Sequence, residues 1–183
     1  DISCNGENDG SIDISVSGGT PNSGLDAYNY QWSNGDDTED LNNLSPGSYD
    51  LIVTDSQGCF TNATYIVDEP DLLVIEELEI IDIDCNGDNT GEAIPSIEGG
   101  TGDYTYFWSN GDDSENLINV DGGIYSLTVE DDNGCQAFID FTIIEPEPIQ
   151  ITNSTVQPVS CFGISDGTID ISVDGGTGTY DFE

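Results

Sequence analysis

The feature that most constrains this chain is an internal repeat. Trp32 and Trp108 are 76 residues apart, and so are Cys85 and Cys161. In the first two copies the same short motifs follow in the same order: Cys-Asn-Gly, Gly-Gly-Thr, Trp-Ser-Asn-Gly-Asp-Asp, Gly-Cys and Glu-Pro. A fixed period of this length predicts a tandem array of small modules, each folded in the same way.

The repeat divides the chain into three parts. We assign residues 1–70 to a first repeat and expect its first strand to be missing. Residues 71–146 form a second repeat, with 71–84 as its connector or first strand, and residues 147–183 form a partial third repeat. The first copy has five extra residues shortly before its tryptophan, and an insertion confined to one point indicates a loop. We expect the sequence to be a fragment of a longer array.

Alternating apolar and polar residues predict strands rather than helices. Ile12, Ile14 and Val16 alternate with polar residues, which is typical of a half-buried strand, and Thr168–Asp174 repeats the pattern. In the second copy Pro95 falls in the equivalent run. Because proline lacks the N–H that a neighbouring strand would bind, we expect this strand at a sheet edge or a bulge. Many short strands at regular spacing predict an all-β chain of repeated small sandwiches.

Two aromatic pairs recur at the repeat spacing and are candidate core residues: Trp32 with Trp108, and Tyr49 with Tyr125. The simplest interpretation of each tryptophan is a central core side chain. The alternative is a platform on which a sugar ring stacks, as in a polysaccharide-binding module, and that function requires an exposed tryptophan.

The charge composition excludes several classes of partner. The chain has 38 acidic residues and no Lys, Arg or His, so its formal charge is −38. Without cationic side chains it cannot hold phosphates, which argues against nucleic-acid binding and against attraction to an anionic membrane. The most apolar run, Leu72–Ile83, is too short and too acidic to insert into a membrane.

We predict no enzymatic activity and no cofactor other than calcium. Two carboxylates can hydrolyse a glycoside, but here the acids lie in turns that recur in each copy, which is not typical of an active site. Clustered carboxylates without cationic neighbours suit a hard ion such as calcium. The alternative is that these residues form turns and bind ions only diffusely. The calcium candidates are Asp36, Asp37, Asp55, Asp112, Asp113 and Asp131.

Five cysteines at two fixed places per copy indicate a disulfide framework in an oxidising, extracellular setting. Their spacing permits three pairing schemes. In the first, Cys4 pairs with Cys59 and Cys85 with Cys135, inside each copy. In the second, Cys59 pairs with Cys85 and Cys135 with Cys161. In the third, Cys4 pairs with Cys135 across copies.

Strand parity favours the first scheme. If five strands of alternating direction follow Cys85, the turn before Cys135 returns to the end where Cys85 lies. An additional crossing would instead favour the pairing of Cys4 with Cys135. In the within-copy scheme the partner of Cys161 lies outside this sequence.

As a combination, these motifs resemble the SprB-type repeats of gliding-motility surface adhesins, and the resemblance extends over the whole chain. It implies tandem Ig-like or PKD-like β-sandwiches on the bacterial cell surface, secreted by the type IX route. It also implies a role in adhesion, as an extended, disulfide-stabilised stalk. The implied partners are neighbouring repeats of the same chain, with surface glycans or the substratum bound through other parts of the protein.

Overall fold

The computed structural model describes residues 1–23 and 28–183, and every regular element in these residues is a β-strand. The prediction of an all-β fold is confirmed. The first repeat contains β1 (Gly10–Ile12), β2 (Asn29–Trp32), β3 (Leu41–Leu44), β4 (Gly47–Thr54) and β5 (Phe60–Val67). The second contains β6 (Val74–Ile81), β7 (Gly91–Glu98), β8 (Tyr104–Trp108), β9 (Leu117–Val120), β10 (Gly123–Asp131) and β11 (Gln136–Ile143). The third contains β12 (Gln150–Gln157) and β13 (Thr168–Asp174).

The two fuller repeats have matching sheets. In the first, β1 pairs with β3, and a separate sheet has the order β2-β4-β5. In the second, the sheets have the orders β6-β7-β9 and β11-β10-β8, so β6 extends the sheet that β7 and β9 form. Strands β12 and β13 pair by themselves. Strand β6 therefore lies within residues 71–84, the segment expected to be a connector or first strand.

Spatially, the chain divides into two compact units that do not coincide with the repeats. The first unit comprises Asp1–Val74, Ile97–Tyr104 and Glu130–Ala137. The second comprises Ile75–Ser96, Thr105–Val129 and Phe138–Glu183. Two short segments of the second repeat thus belong to the first unit. The repeat boundaries assigned at residues 70 and 146 stay a prediction.

The core of the first repeat lies around Trp32, which is 2% exposed. Its indole packs at 5.7 Å between ring centroids from Tyr65, and Leu51 and Val53 of β4 are buried in the same cluster. In the second repeat Trp108 is 3% exposed and packs at 5.9 Å from Phe141. The tryptophans are core residues, as the simpler interpretation predicts, and neither can stack on a sugar.

The tyrosines predicted to lie in the core, Tyr49 and Tyr125, are only half-buried. Each hydroxyl donates a hydrogen bond to a backbone carbonyl four residues earlier, that of Ser45 or Asp121, at 2.9 Å. Burial raises the pKa of the Tyr125 hydroxyl, and the nearby Asp121 adds to the rise. Each tyrosine therefore fixes the turn before β4 or β10.

Strand direction differs from the alternation that the sequence suggests. Strand β3 is antiparallel to β1, and β2 is antiparallel to β4. Gly10, at the start of β1, lies against both Leu44 and Val67, so the ends of β3 and β5 lie where β1 begins. Strands β2 and β3 consequently run in the same direction and together make one crossing of the sandwich. From β1 to β5 the chain makes four crossings, not five.

The expected edge position of Pro95 is wrong for its strand as a whole, because β7 lies between β6 and β9. Strand β9 pairs with β7 only at Gly91 and Ala93, where the register shifts. Pro95 lies beyond this short pairing, at a point where β9 needs no N–H from β7. A proline is tolerated there for the physical reason that the edge prediction used.

Candidate functional site: a bridged cluster of turns

Each of the first two repeats has a polar latch at the end where β1 or β7 begins, which we call the lower end. In the second repeat Glu145 Oε1 accepts hydrogen bonds from Asn86 Nδ2 at 2.9 Å and from the Gly87 backbone N–H at 2.7 Å. Asn86 Nδ2 also donates to the Pro146 carbonyl at 3.1 Å. The Cys-Asn-Gly motif is thereby fastened to the Glu-Pro motif that closes the repeat.

The first repeat has the same latch. Asn5 Nδ2 donates to the Pro70 carbonyl at 3.0 Å, and the Gly6 N–H donates to the Glu69 carboxylate. Sequence reasoning used Cys-Asn-Gly and Glu-Pro only as markers of the repeat. Their joint recurrence was the available signal that the two motifs contact one another.

At the opposite, upper end a buried carboxylate organises two turns. Asp131 is 5% exposed, and its Oδ2 accepts the Thr101 N–H at 2.8 Å. Its Oδ1 accepts the N–H groups of Asn133 at 3.0 Å and Cys135 at 2.9 Å. The Gly-Gly-Thr motif and the Asp-x-x-Gly-Cys motif are therefore one structural element, held together by a single side chain.

Asp55 performs the same function in the first repeat. It accepts the N–H groups of Thr20, Gln57 and Cys59, each at 2.9 Å. The Thr20 N–H and then the Cys59 N–H lower the pKa of the Asp55 carboxyl, because hydrogen bonds to the ionised form favour it. Both carboxylate oxygens of Asp55 and of Asp131 thus already have donors.

The connector before β6 lies against the upper turn of the second repeat. The Gly100 N–H donates to the Asp71 carbonyl at 2.8 Å. Gly99 has a φ of +76°, and a Cβ at this position would lie 2.0 Å from the Leu72 carbonyl oxygen. Only glycine permits both the left-handed conformation and this close approach.

A disulfide joins Cys4 to Cys135, with Cα atoms 5.6 Å apart and a sequence separation of 131 residues. Beside it, Asn133 Nδ2 donates to the Ser3 carbonyl at 2.9 Å. The bridge connects the lower end of the first repeat to the upper turn of the second. It lies within the first compact unit, because that unit includes Glu130–Ala137.

The within-copy pairing that we favoured from sequence is therefore wrong. Cys4 lies near the lower end of the sandwich and Cys59 precedes β5 at the upper end, because the number of crossings is even. The two ends are separated by the length of β4, roughly 23 Å at 3.3 Å per residue. A disulfide requires Cα atoms closer than about 7 Å. Cys85 does not pair with Cys135 either, because Cys135 is bonded to Cys4 and Cys85 is unpaired.

Cys59, Cys85 and Cys161 all lie in the described part of the chain, where they are exposed and unpaired. The second pairing scheme, Cys59 with Cys85 and Cys135 with Cys161, is excluded in this structure because Cys135 is already bonded. A partner of Cys161 outside the sequence stays a prediction.

The acidic turns after the tryptophans are exposed. Trp32 Nε1 donates to the Thr38 carbonyl and Trp108 Nε1 to the Ser114 carbonyl, each at 2.8 Å, so the indoles fix these turns from inside. The turns carry four of the calcium candidates, Asp36, Asp37, Asp112 and Asp113. Hydrogen bonds from Ser114, first from its hydroxyl, lower the pKa of Asp112.

Within residues 1–23 and 28–183, no group of three or more acidic or cysteine side chains is arranged to hold a metal ion. Asp55 and Asp131 lie at the upper turns, in a different place from the four exposed aspartates. In each of the two repeats, one candidate accepts backbone N–H groups at the upper turn and the other two are exposed, and calcium binding stays a prediction. No helix in the described part of the chain is long and apolar enough to cross a membrane.

The profile of a family described as SprB repeat matches residues 1–37, 79–113 and 153–183, which together make up more than half of the chain. The three matches begin in successive repeats and confirm the suspected resemblance. No curated protein matches the chain.

Among solved structures, the chain is similar to a C-terminal 282-residue fragment of intimin in complex with the intimin-binding domain of the translocated intimin receptor. The sequence identity is 15% and the TM-score is 0.40. The alignment covers 68% of this chain and 54% of the intimin chain, so this chain spans about half the length of that structure.

Proposed function

Because the chain belongs to the SprB repeat family, we propose that it is a structural segment of a long, repetitive cell-surface adhesin. In this function the repeats form a stalk that holds a binding region away from the bacterial cell. We propose that the adhesin is of the gliding-motility type and is exported by type IX secretion, as the family resemblance implies. The segment itself is non-enzymatic in this proposal.

The observation that carries this proposal is the bridge between Cys4 and Cys135. A stalk must transmit tension from repeat to repeat without losing its folded modules. Here a covalent bond leads from the lower end of one repeat to the upper turn of the next. The bond lies beside the turns that Asp131 holds together and beside the connector that contains Asp71. A pulling force therefore acts on hydrogen-bonded turns rather than on the edge of a strand.

The charge of the chain is consistent with a surface filament. A formal charge of −38 over 183 residues keeps the chain soluble and makes neighbouring repeats repel one another. Repulsion of this kind favours an extended array over a collapsed one, and salt weakens it. The partners in this proposal are neighbouring repeats, with glycans or the substratum bound elsewhere in the protein.

The surface location can be tested on intact cells of the producing bacterium. Beads coated with antibody against this chain are expected to attach to the cells and to be carried along their surface. Beads coated with antibody against a periplasmic protein are the control. Failure to attach would contradict surface exposure, whereas attachment without movement would reject only the gliding part of the proposal.

A second candidate function is polysaccharide binding by the second repeat. Phe107 on β8 and Phe138 on β11 are exposed large aromatics on two strands that flank β10. The first repeat has Gln31 and Asn62 at the equivalent positions, so this apolar pair is specific to one copy. In the first repeat the equivalents Gln31 and Asn62 both lie opposite Ile52, and the strands that carry them are two interstrand spacings, about 10 Å, apart.

This candidate predicts that replacing Phe107 and Phe138 together with alanine abolishes binding to a surface polysaccharide of the producing bacterium. Phe60→Ala is the matched control, because Phe60 is an exposed phenylalanine in the first repeat. Isothermal titration of both variants and the native chain measures the difference. Equal affinity in all three proteins, or no binding by the native chain, would reject a glycan site here.

A further inference from the structure

The surroundings of the unpaired Cys85 repeat those of the bonded Cys4. The residues after each cysteine are held by the same latch: Asn86 and Gly87 by Glu145, and Gly6 by Glu69. Cys85 is exposed, although it lies within a fully formed repeat. Cys85 therefore occupies the same position at the lower end of the second repeat as Cys4 occupies in the first.

The third repeat begins in the same way as the second. The Gly176 N–H donates to the Glu147 carbonyl at 2.7 Å, as Gly100 does to Asp71 at 2.8 Å. A Cβ at Gly175 would lie 2.1 Å from the Pro148 carbonyl oxygen, which repeats the close approach at Gly99. The upper turn of the third repeat is thus already formed against its connector.

This upper turn also contacts the residue before Cys85. Thr177 Oγ1 donates to the Asp84 carbonyl at 3.4 Å, and both residues lie in the second compact unit. Asp84 is the equivalent of Ser3, whose carbonyl accepts a hydrogen bond beside the observed bridge. The segment that carries Cys85 therefore faces the Gly-Gly-Thr turn of the next repeat.

In a complete repeat the cysteine at the upper end, which we call the upper cysteine, lies close to the Gly-Gly-Thr turn. In the second repeat this cysteine is Cys135. Asp131 accepts the N–H of Thr101 through one oxygen and the N–H of Cys135 through the other, at 2.8 and 2.9 Å. Since Thr177 is the equivalent of Thr101, a complete third repeat would place its upper cysteine beside Cys85.

We propose that the lower end of each repeat is a docking surface for the upper end of the next, closed by one disulfide per junction. Cys85 then bonds to the upper cysteine of a complete third repeat, and Cys59 accepts the lower cysteine of a preceding one. Cys161, at the lower end of the third repeat, then bonds to the upper cysteine of a fourth. The inference deepens the proposed stalk function and depends on it only for oxidising surroundings.

The chemistry is a two-electron oxidation by a small disulfide such as oxidised glutathione. The Cys85 thiolate attacks one glutathione sulfur and releases one glutathione thiolate. The upper cysteine of the next repeat, as thiolate, then attacks the Cys85 sulfur and releases the second. Two protein thiols become one disulfide, and the oxidant becomes two thiols.

The test extends the native chain to a complete third repeat. Residues 108–146 are appended directly after Glu183, because Glu183 is equivalent to Phe107. A second chain carries residues 32–70 instead, which have the same length and place their cysteine at the same position. Both are oxidised with glutathione and digested without reduction at acidic residues, and linked peptides are identified by mass.

The expected result is a peptide with Cys85 joined to the appended cysteine, alongside the Cys4–Cys135 peptide. Two free thiols, at Cys59 and Cys161, should remain, whereas four would remain without the new bond. The inference is overturned if neither chain contains the Cys85 bond although Cys4 and Cys135 are linked, or if the appended cysteine bonds to Cys161. Either result would leave the surface location, tested on intact cells, unaffected.

Discussion

Replacing Cys4 and Cys135 together with serine should strongly destabilise the folded chain. The bridge closes a loop of 131 residues, which on the chain-entropy estimate stabilises the folded state by about 5 kcal/mol. If the first repeat unfolds while the second stays folded, the relevant loop runs only from Cys4 to the connector at Asp71. The same relation then gives about 4 kcal/mol, so the expected loss is similar in both cases.

Equilibrium unfolding in urea measures this loss. Trp32 and Trp108 report separately on the two repeats when each is replaced in turn by phenylalanine in the native and in the serine background. For a module of about 76 residues, the dependence on urea is about 1 kcal/mol per molar, so the midpoint should fall by about 4 M.

Cys59→Ser is the matched control, because Cys59 is exposed and unpaired in the structure. It should leave the midpoint unchanged. Equal urea midpoints for the Cys59→Ser chain and the double variant, under oxidising conditions, would show that the bridge does not stabilise the folded state. A reductant should shift the midpoint of the native chain to that of the double variant.

Three further predictions concern the latch, the upper carboxylate and calcium. Glu145→Ala removes the acceptor of Asn86 and Gly87 and should cost about 1 kcal/mol of unfolding free energy, whereas Glu147→Ala removes the same charge outside the latch and should cost almost nothing in the same melts. The pKa of Asp55 is lowered in the folded chain, so its contribution is fully present above the ordinary carboxyl pKa of about 4 and is lost as pH falls through the folded value. The difference in Tm between native and Asp55→Asn chains should therefore be constant from about pH 7 to 5 and shrink below about pH 4; a difference independent of pH would contradict this. Calcium and magnesium at equal concentration should raise Tm equally through diffuse screening, and a larger rise with calcium alone, or calorimetric heat at a fixed stoichiometry, would indicate a specific site.

The regular part of the fold could be predicted from the sequence. Period-2 alternation located the strands, and the 76-residue spacing identified the tryptophans as equivalent core residues. Burial of Trp32 followed because this large aromatic side chain lies between the polar Gln31 and Ser33 and is stable only when it faces the core. Trp108 is its equivalent at the repeat spacing and is buried in the same way.

The cysteine pairing could not be predicted, because it depends on strand direction. Strand β3 continues in the direction of β2 after the turn between Trp32 and Leu41. The periodicity of the sequence does not indicate this, because it contains no information on strand direction. Equal spacing makes the three pairing schemes indistinguishable, since every scheme repeats at the same interval. The Asp131 cluster was missed for a related reason: a carboxylate that binds backbone N–H groups resembles a metal ligand in sequence.

Pulling a single chain by its ends shows whether the bridge carries tension past the folded repeats. With the bond intact, the residues between Cys4 and Cys135 cannot extend even when the repeats unfold. At about 3.3–3.6 Å per residue, the 131-residue loop hides roughly 450 Å of contour length. Adding a reductant should increase the final extended length by about this amount. Equal extended lengths before and after reduction would contradict it.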